Sequence, residues 1–134
     1  MGMYAERHAE RGAAAVEFAL VLSILLALLM GVIEFGRVWA IQANLAQASR
    51  EAAREMAIKD DETLARQHFY QSFLPFGESD ADAAKATVTF SKVTGLPNDA
   101  CQHTASAEYT AKSWTGFFVS EYTLTGEGAM RCGG

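Results

Sequence analysis

Three regimes of hydrophobic and polar patterning follow one another along this chain. From Phe18 to Ile33 it reads FALVLSILLALLMGVI, uncharged and with Ser23 as the one polar side chain. Extended back to Ala13, the stretch predicts a helix of roughly 31 Å at 1.5 Å per residue, long enough to cross a hydrocarbon core. A secretory signal peptide would carry a shorter apolar run and a small-residue cleavage site soon after it. Here Ile33 is followed by Glu34, Phe35, Gly36 and Arg37, and the nearest A-x-A pattern, Ala46-Gln47-Ala48, lies too far along. The core helix of a soluble protein would keep a polar stripe, and only Glu17 interrupts this segment. The expectation is a transmembrane helix over residues 13–33.

The period then changes. Val38, Ile41, Leu45, Ala48 and Ala52 are spaced three and four apart, with Gln42, Gln47, Arg50, Glu51, Arg54 and Glu55 on the other faces. This predicts that the helix continues unbroken over residues 34–58 as an amphipathic stalk. Lys59, Asp60, Asp61 and Glu62 break it, and Asp61 ahead of Leu64 and Ala65 predicts a short second helix ending near Leu74, before Pro75. Phe76 to Asp82 reads as a surface loop. Its acids, Glu78, Asp80 and Asp82, lack the twelve-residue frame of a calcium loop and read as solvation. Strands follow, by alternation: Ala86, Val88 and Phe90, then Ala105, Ala107, Tyr109 and Ala111 after a turn at Gly95 to Asp99, then about Glu121 to Arg131. Trp114, Phe117 and Phe118 fall in the last connection. The fold class is α+β: a long N-terminal helix, a short helix with a loop over residues 59–83, and a small antiparallel sheet over residues 84–134.

Charge and composition narrow the chemistry. A formal net charge of -5 without a Lys/Arg cluster argues against a nucleic-acid surface. No Gly-rich phosphate loop, serine elbow or paired-carboxylate motif is present, so no catalytic residue, cofactor or small-molecule substrate is expected. Cys101-Gln102-His103 offers two metal ligands at most where structural zinc takes four, and no metal site is expected there. Cys101 and Cys132 make an even pair beyond the span. They read either as a disulfide formed in an oxidising compartment or as two buried thiols, the first being favoured. Glu34 with Arg37, and Arg50 and Arg54 with Glu51 and Glu55, read first as solvated helix charges worth tenths of a kcal/mol each. Trp39, close to the end of the apolar run, fits an interfacial aromatic anchor.

Glu17 is the exception inside the span, because a carboxylate there costs a few kcal/mol and marks a partner or a function. It stands five residues after Gly12 and just before Phe18. Glycine followed by four small or apolar residues, Glu-Phe and a long apolar helix resembles the signal of type IV pilins, which a prepilin peptidase cuts after the glycine. Arg11 to Leu22, RGAAAVEFALVL, taken with Gly31 to Ile58, GVIEFGRVWAIQANLAQASREAAREMAI, resembles the TadE-like proteins, pilin-related subunits of the tight-adherence pilus system. The run Glu34-Phe35-Gly36-Arg37 carries most of that likeness, and Tyr122, Leu124 and the closing Ala129-Met130-Arg131 are also similar.

The resemblance implies a pilin-like fold behind a cytoplasmic leader, residues 1–12, with cleavage between Gly12 and Ala13. It implies assembly contacts by Glu17, Phe18, Glu34 and Arg37 with other pilin-type subunits, a major pilin or a sister pseudopilin, and with the assembly platform. The protein would be a minor pilin or pseudopilin of the bacterial inner membrane, spanning it once, with its N-terminus cytoplasmic and its C-terminal domain periplasmic or carried outside in the pilus. The alternative is an uncleaved, membrane-anchored accessory protein whose periplasmic domain binds another component of the machinery.

Overall fold

The computed structural model describes residues 3–77, 79–97, 100–116 and 119–133, with side chains from Gly12 onward. Its elements run helix, helix, helix, strand, strand, strand: α1 (Met3–Lys59), α2 (Glu62–Ser72), α3 (Asp80–Ala83), β1 (Thr87–Leu96), β2 (Ala100–Lys112) and β3 (Glu121–Arg131). The chain separates into two compact units, Met1–Phe35 and Gly36–Gly134, and α1 contributes to both.

From Ala13 to Ile33 the outside of α1 is apolar except at Glu17 and Ser23. Val16, Phe18, Leu20, Leu25, Leu28 and Val32 are exposed, and so is Glu17. Ser23 turns its hydroxyl back to donate to the Ala19 carbonyl at 2.8 Å, which satisfies its polar group within the helix. The helix is long and apolar enough to cross a membrane. In water this much contiguous apolar surface would be a large unrecovered cost, at about 25 cal/mol for each Å².

The second unit has its own core. Its part of α1 buries Ile41, Leu45, Ala48 and Ala52 as expected, together with Ala53, Met56 and Ala57. The helix ends where Asp60 adopts a left-handed φ of 50° and donates its N–H to the Met56 carbonyl at 3.0 Å, a C-terminal cap usually filled by glycine. Asp61 then caps α2 through its side chain, which accepts from the amides of Thr63 and Leu64 at 2.8 and 3.2 Å. The expected loop from Phe76 to Asp82 needs correction in part: Ser79 and Asp82 form a reciprocal capping box that starts α3, so Asp80 and Asp82 are first-turn acids. Glu78 lies outside the described residues, as do Asn98 and Asp99 of the expected turn and Phe117 and Phe118 of the last connection.

The sheet is antiparallel in the order β1-β2-β3. Its registers pair Val88 with Ala107 and Phe90 with Ala105, then Ala105 with Gly128 and Ala107 with Gly126. Alternation therefore places Val88, His103, Ala105, Ala107, Tyr109, Ala111, Gly126 and Gly128 on one buried face. Most of these side chains are small, so the sheet approaches α1 closely. Bulk comes from α2 and its C-cap: the rings of Phe69 and Phe73 stack at 5.6 Å, with Tyr109 edge-on to Phe73 at 5.1 Å.

Candidate functional site

Three groups of residues are candidates: the apolar helix with Glu17, the Arg37 end of the second unit, and the cysteine end of its sheet. On the helix, Gly12, Gly31 and Gly36 each face open space where a Cβ would stand. Glycine inside a helix costs about 1 kcal/mol relative to alanine, and packing within this chain does not offset that cost at any of the three. Glu17 and Phe18 are both turned outward.

Glu34 and Arg37 require a correction. Both are buried, so neither is a solvated helix charge. Arg37 is committed within the second unit: it donates from Nη1 to the Lys112 carbonyl at 3.0 Å, and its guanidinium carbon sits 4.8 Å from the centre of the Trp114 ring. A cation taken this far out of water must recover its hydration from partners, and a carbonyl together with an aromatic face supplies part of it. Arg37 thereby joins the first turns of the stalk to the end of β2. Further along, Gln42 donates to the Thr125 carbonyl at 2.6 Å, Asn44 accepts from the Leu74 amide at 3.1 Å, and the Gly133 amide donates to the Ala57 carbonyl at 3.1 Å. The stalk is thus tied to β3 at Thr125, to the turn after α2 at Leu74, and to Gly133 just past β3.

The closest approach is at Gly126 and Gly128. A Cβ on Gly126 would stand 2.9 Å from the Leu45 carbonyl carbon, and one on Gly128 would press on the Ser49 carbonyl and come within 2.5 Å of the Arg50 amide nitrogen. Ser49 fits beneath because its hydroxyl folds back to the Leu45 carbonyl at 2.9 Å. Neither glycine was singled out by sequence reasoning. The available signal was Gly-x-Gly on one face of a strand, a mark of close backbone approach.

At the other end of the sheet Cys101 and Cys132 form a disulfide, with Cα atoms 5.4 Å apart. The Cys132 amide also donates to the Cys101 carbonyl at 3.0 Å. His103 lies close by, its ring nitrogen and the two sulfurs within 4.8 Å of one another. Metal binding by cysteine needs thiolates, and in the disulfide neither sulfur is one. His103 is buried and places Nε2 3.4 Å from the Asp60 carboxylate, which also receives Lys92 Nζ at 3.0 Å. The hydrogen bond from Lys92, and then its charge, hold the Asp60 carboxyl below its ordinary value of 3.8, with a smaller contribution from His103. This trio joins the cap at the end of α1 to β1 and β2, where Lys92 and His103 stand opposite each other.

The family model described as TadE-like protein matches residues 12–54, a segment that begins at Gly12 and takes in the apolar helix, Glu17, Arg37 and most of the stalk. No curated protein and no solved structure matches the chain. Over that segment, about a third of the chain, it is similar to the TadE-like proteins, a family linked by its name to a pilus system.

Proposed function

We propose that this protein is a minor pilin or pseudopilin of a tight-adherence pilus: a single-pass inner-membrane subunit, cut between Gly12 and Ala13 by a prepilin peptidase, that takes part in pilus assembly or initiation through lateral packing of its apolar helix. The observation that carries this reading is the outward-facing apolar helix with Glu17 exposed on it, within a TadE-like match that starts at Gly12.

Cleavage would leave a terminal ammonium on Ala13 and make Glu17 the fifth residue of the mature chain. In a low-dielectric bundle the ammonium of one subunit and the carboxylate of its neighbour neutralise each other, which relieves the cost of burying either alone. Gly12, Gly31 and Gly36 support the same reading, since small residues let membrane helices approach closely and a helical glycine without an internal reason has an external one. The disulfide supports a periplasmic location for the second unit. Glu17 and Phe18 are the lateral contacts in this reading. Glu34 and Arg37 hold the exit of the helix in shape and act on neighbours through that shape.

Intact mass of the protein extracted from cells with and without the peptidase tests the processing. An N-terminus at Ala13 is expected in the first and at Met1 in the second; Met1 in both would leave the alternative, an uncleaved accessory protein. Glu17→Gln is expected to abolish assembled pili while the subunit stays at its normal level in the membrane. Normal piliation by this variant would remove Glu17 from the assembly contact.

A further inference from the structure

Cys101, His103 and Cys132 come together only in the folded chain. Cys101 and His103 are two residues apart on β2, so alternation puts both side chains on one side of the sheet. Across from them β3 pairs Met130 with His103 and Arg131 with Gln102, and the Cys132 amide reaches the Cys101 carbonyl, so the second sulfur arrives on that same side. A ring nitrogen of His103 and both sulfurs lie within 4.8 Å of one another. In four-coordinate zinc, with Zn–S about 2.3 Å and Zn–N about 2.0 Å, ligand atoms stand about 3.6–3.8 Å apart, so small side-chain rotations reach that geometry once the sulfurs are unbonded. Cys101 and His103 alone are two ligands, and strand pairing adds the third. His103 is 2% exposed, and its two ring nitrogens have unequal surroundings. Nε2 faces the Asp60 carboxylate at 3.4 Å, whereas Nδ1 is buried without a hydrogen-bond partner among the described residues. A buried polar atom left in that way costs free energy unless something else satisfies it. A carboxylate on one nitrogen, with the other left as a lone pair, is the arrangement that orients a histidine towards a metal. Cys101 and Cys132 are half-buried, so a reductant and an ion can reach them from solvent.

We propose that, when its disulfide is reduced, this end of the second unit binds a thiolate-preferring divalent metal ion such as zinc through the sulfurs of Cys101 and Cys132 and Nδ1 of His103. Water fills the fourth position, and Asp60 is the positioning residue behind His103. The site lies wholly within the second unit and does not depend on the pilus reading. Every new chain carries these sulfurs as thiols, because a bridge forms only by later oxidation. Reduction by a phosphine returns the chain to that state. The S–S bond breaks, phosphorus gives up an electron pair and takes the oxygen of a water, and the two protons of that water go to the sulfurs. The metal then displaces those protons into solvent as the two sulfur–metal bonds form. Bridge and metal thus compete for the same two sulfurs, and reoxidation expels the metal.

The full chain in detergent, reduced with a water-soluble phosphine and freed of it without air, is titrated with Co2+. A single ion is expected to bind, with thiolate-to-cobalt charge transfer in the near ultraviolet and the strong visible bands of a four-coordinate ion, and Zn2+ is expected to displace it. The oxidised chain should show neither signal. Asp60→Asn, at an exposed position whose left-handed backbone suits asparagine, should weaken binding roughly ten- to a hundredfold and keep the same visible bands. His103→Gln should weaken it at least as much and shift the visible bands, since a nitrogen ligand has gone. No charge transfer in the reduced parent, whether or not near-ultraviolet dichroism shows the second unit folded, would overturn the proposal. Binding by His103→Gln equal to the parent's would overturn it too, as the mark of two thiols gathering metal without a built site. Equal binding by Asp60→Asn would overturn the positioning role of Asp60.

Discussion

Replacing Gly128 by alanine is expected to lower the stability of the second unit by about 3 kcal/mol, the upper end of the ordinary range for overpacking. The added methyl has nowhere to go. Its position presses on the Ser49 carbonyl and comes within 2.5 Å of the Arg50 amide nitrogen, and both are backbone atoms of a helix that cannot rotate aside as a side chain would. Relief requires β3 to lift from α1, which also stretches the bonds from Gln42 to Thr125 and from Gly133 to Ala57. For a domain of this size the loss corresponds to a fall of about 15 °C in the melting midpoint. The check is thermal unfolding of the full chain in detergent, followed by near-ultraviolet dichroism, which reports aromatic packing in the second unit and is little affected by the apolar helix. Gly126→Ala should follow with a smaller loss, since its Cβ would meet Leu45 at 2.9 Å. Thr123→Ala, exposed on the same strand, should change little. A Gly128→Ala midpoint within a few degrees of the parent would show that the strand and the helix are not in the tight contact described above.

The disulfide is the second large term. Cys101 and Cys132 are separated by 31 residues, and closing a loop of that length removes unfolded-state entropy worth about 3–4 kcal/mol. The double variant Cys101→Ser/Cys132→Ser is therefore expected to melt well below the parent, and the parent treated with reductant should coincide with the untreated double variant. The bridge joins the start of β2 to the residue after β3, next to the His103, Asp60 and Lys92 cluster. Its loss should therefore be felt first where the sheet meets the end of α1. Unchanged melting in the double variant would mean that the backbone bond from Cys132 to Cys101 and the surrounding core already hold this end closed.

These two features divide the labour of the second unit. The glycines set how closely the sheet lies on the stalk, and the disulfide keeps its far end from opening. Arg37 secures the near end. Within that unit, the contacts from Arg37, Gln42, Asn44 and Ala57 tie the stalk to β2, to β3, to the turn after α2 and to Gly133.

Much of this was open to a reader of the chain alone. The apolar run to Ile33 and the three-and-four spacing of Ile41, Leu45, Ala48 and Ala52 determine one long helix, because both patterns belong to the local period of a helix and need no partner to be recognised. Strict alternation did the same for the strands, and Asp61 marked the start of α2 by its chemistry as a cap. Gly12 and Glu17 could be named as candidate functional residues because each stands out against its own neighbours. What the tertiary structure decided are the relations between distant segments. That Arg37 is buried depends on Lys112 and Trp114, some 75 residues away, and nothing near Arg37 in the chain records them. Gly126 and Gly128 are ordinary strand glycines until the backbone of Leu45 and Ser49 is seen beneath them. The disulfide was one of two readings until β2 and β3 paired and brought the two cysteines to 5.4 Å. Periodicity is a property of neighbours and survives in the sequence. Close approach, burial of a charge and the pairing of cysteines belong to segments that meet only when the chain folds, so the structure alone could decide them.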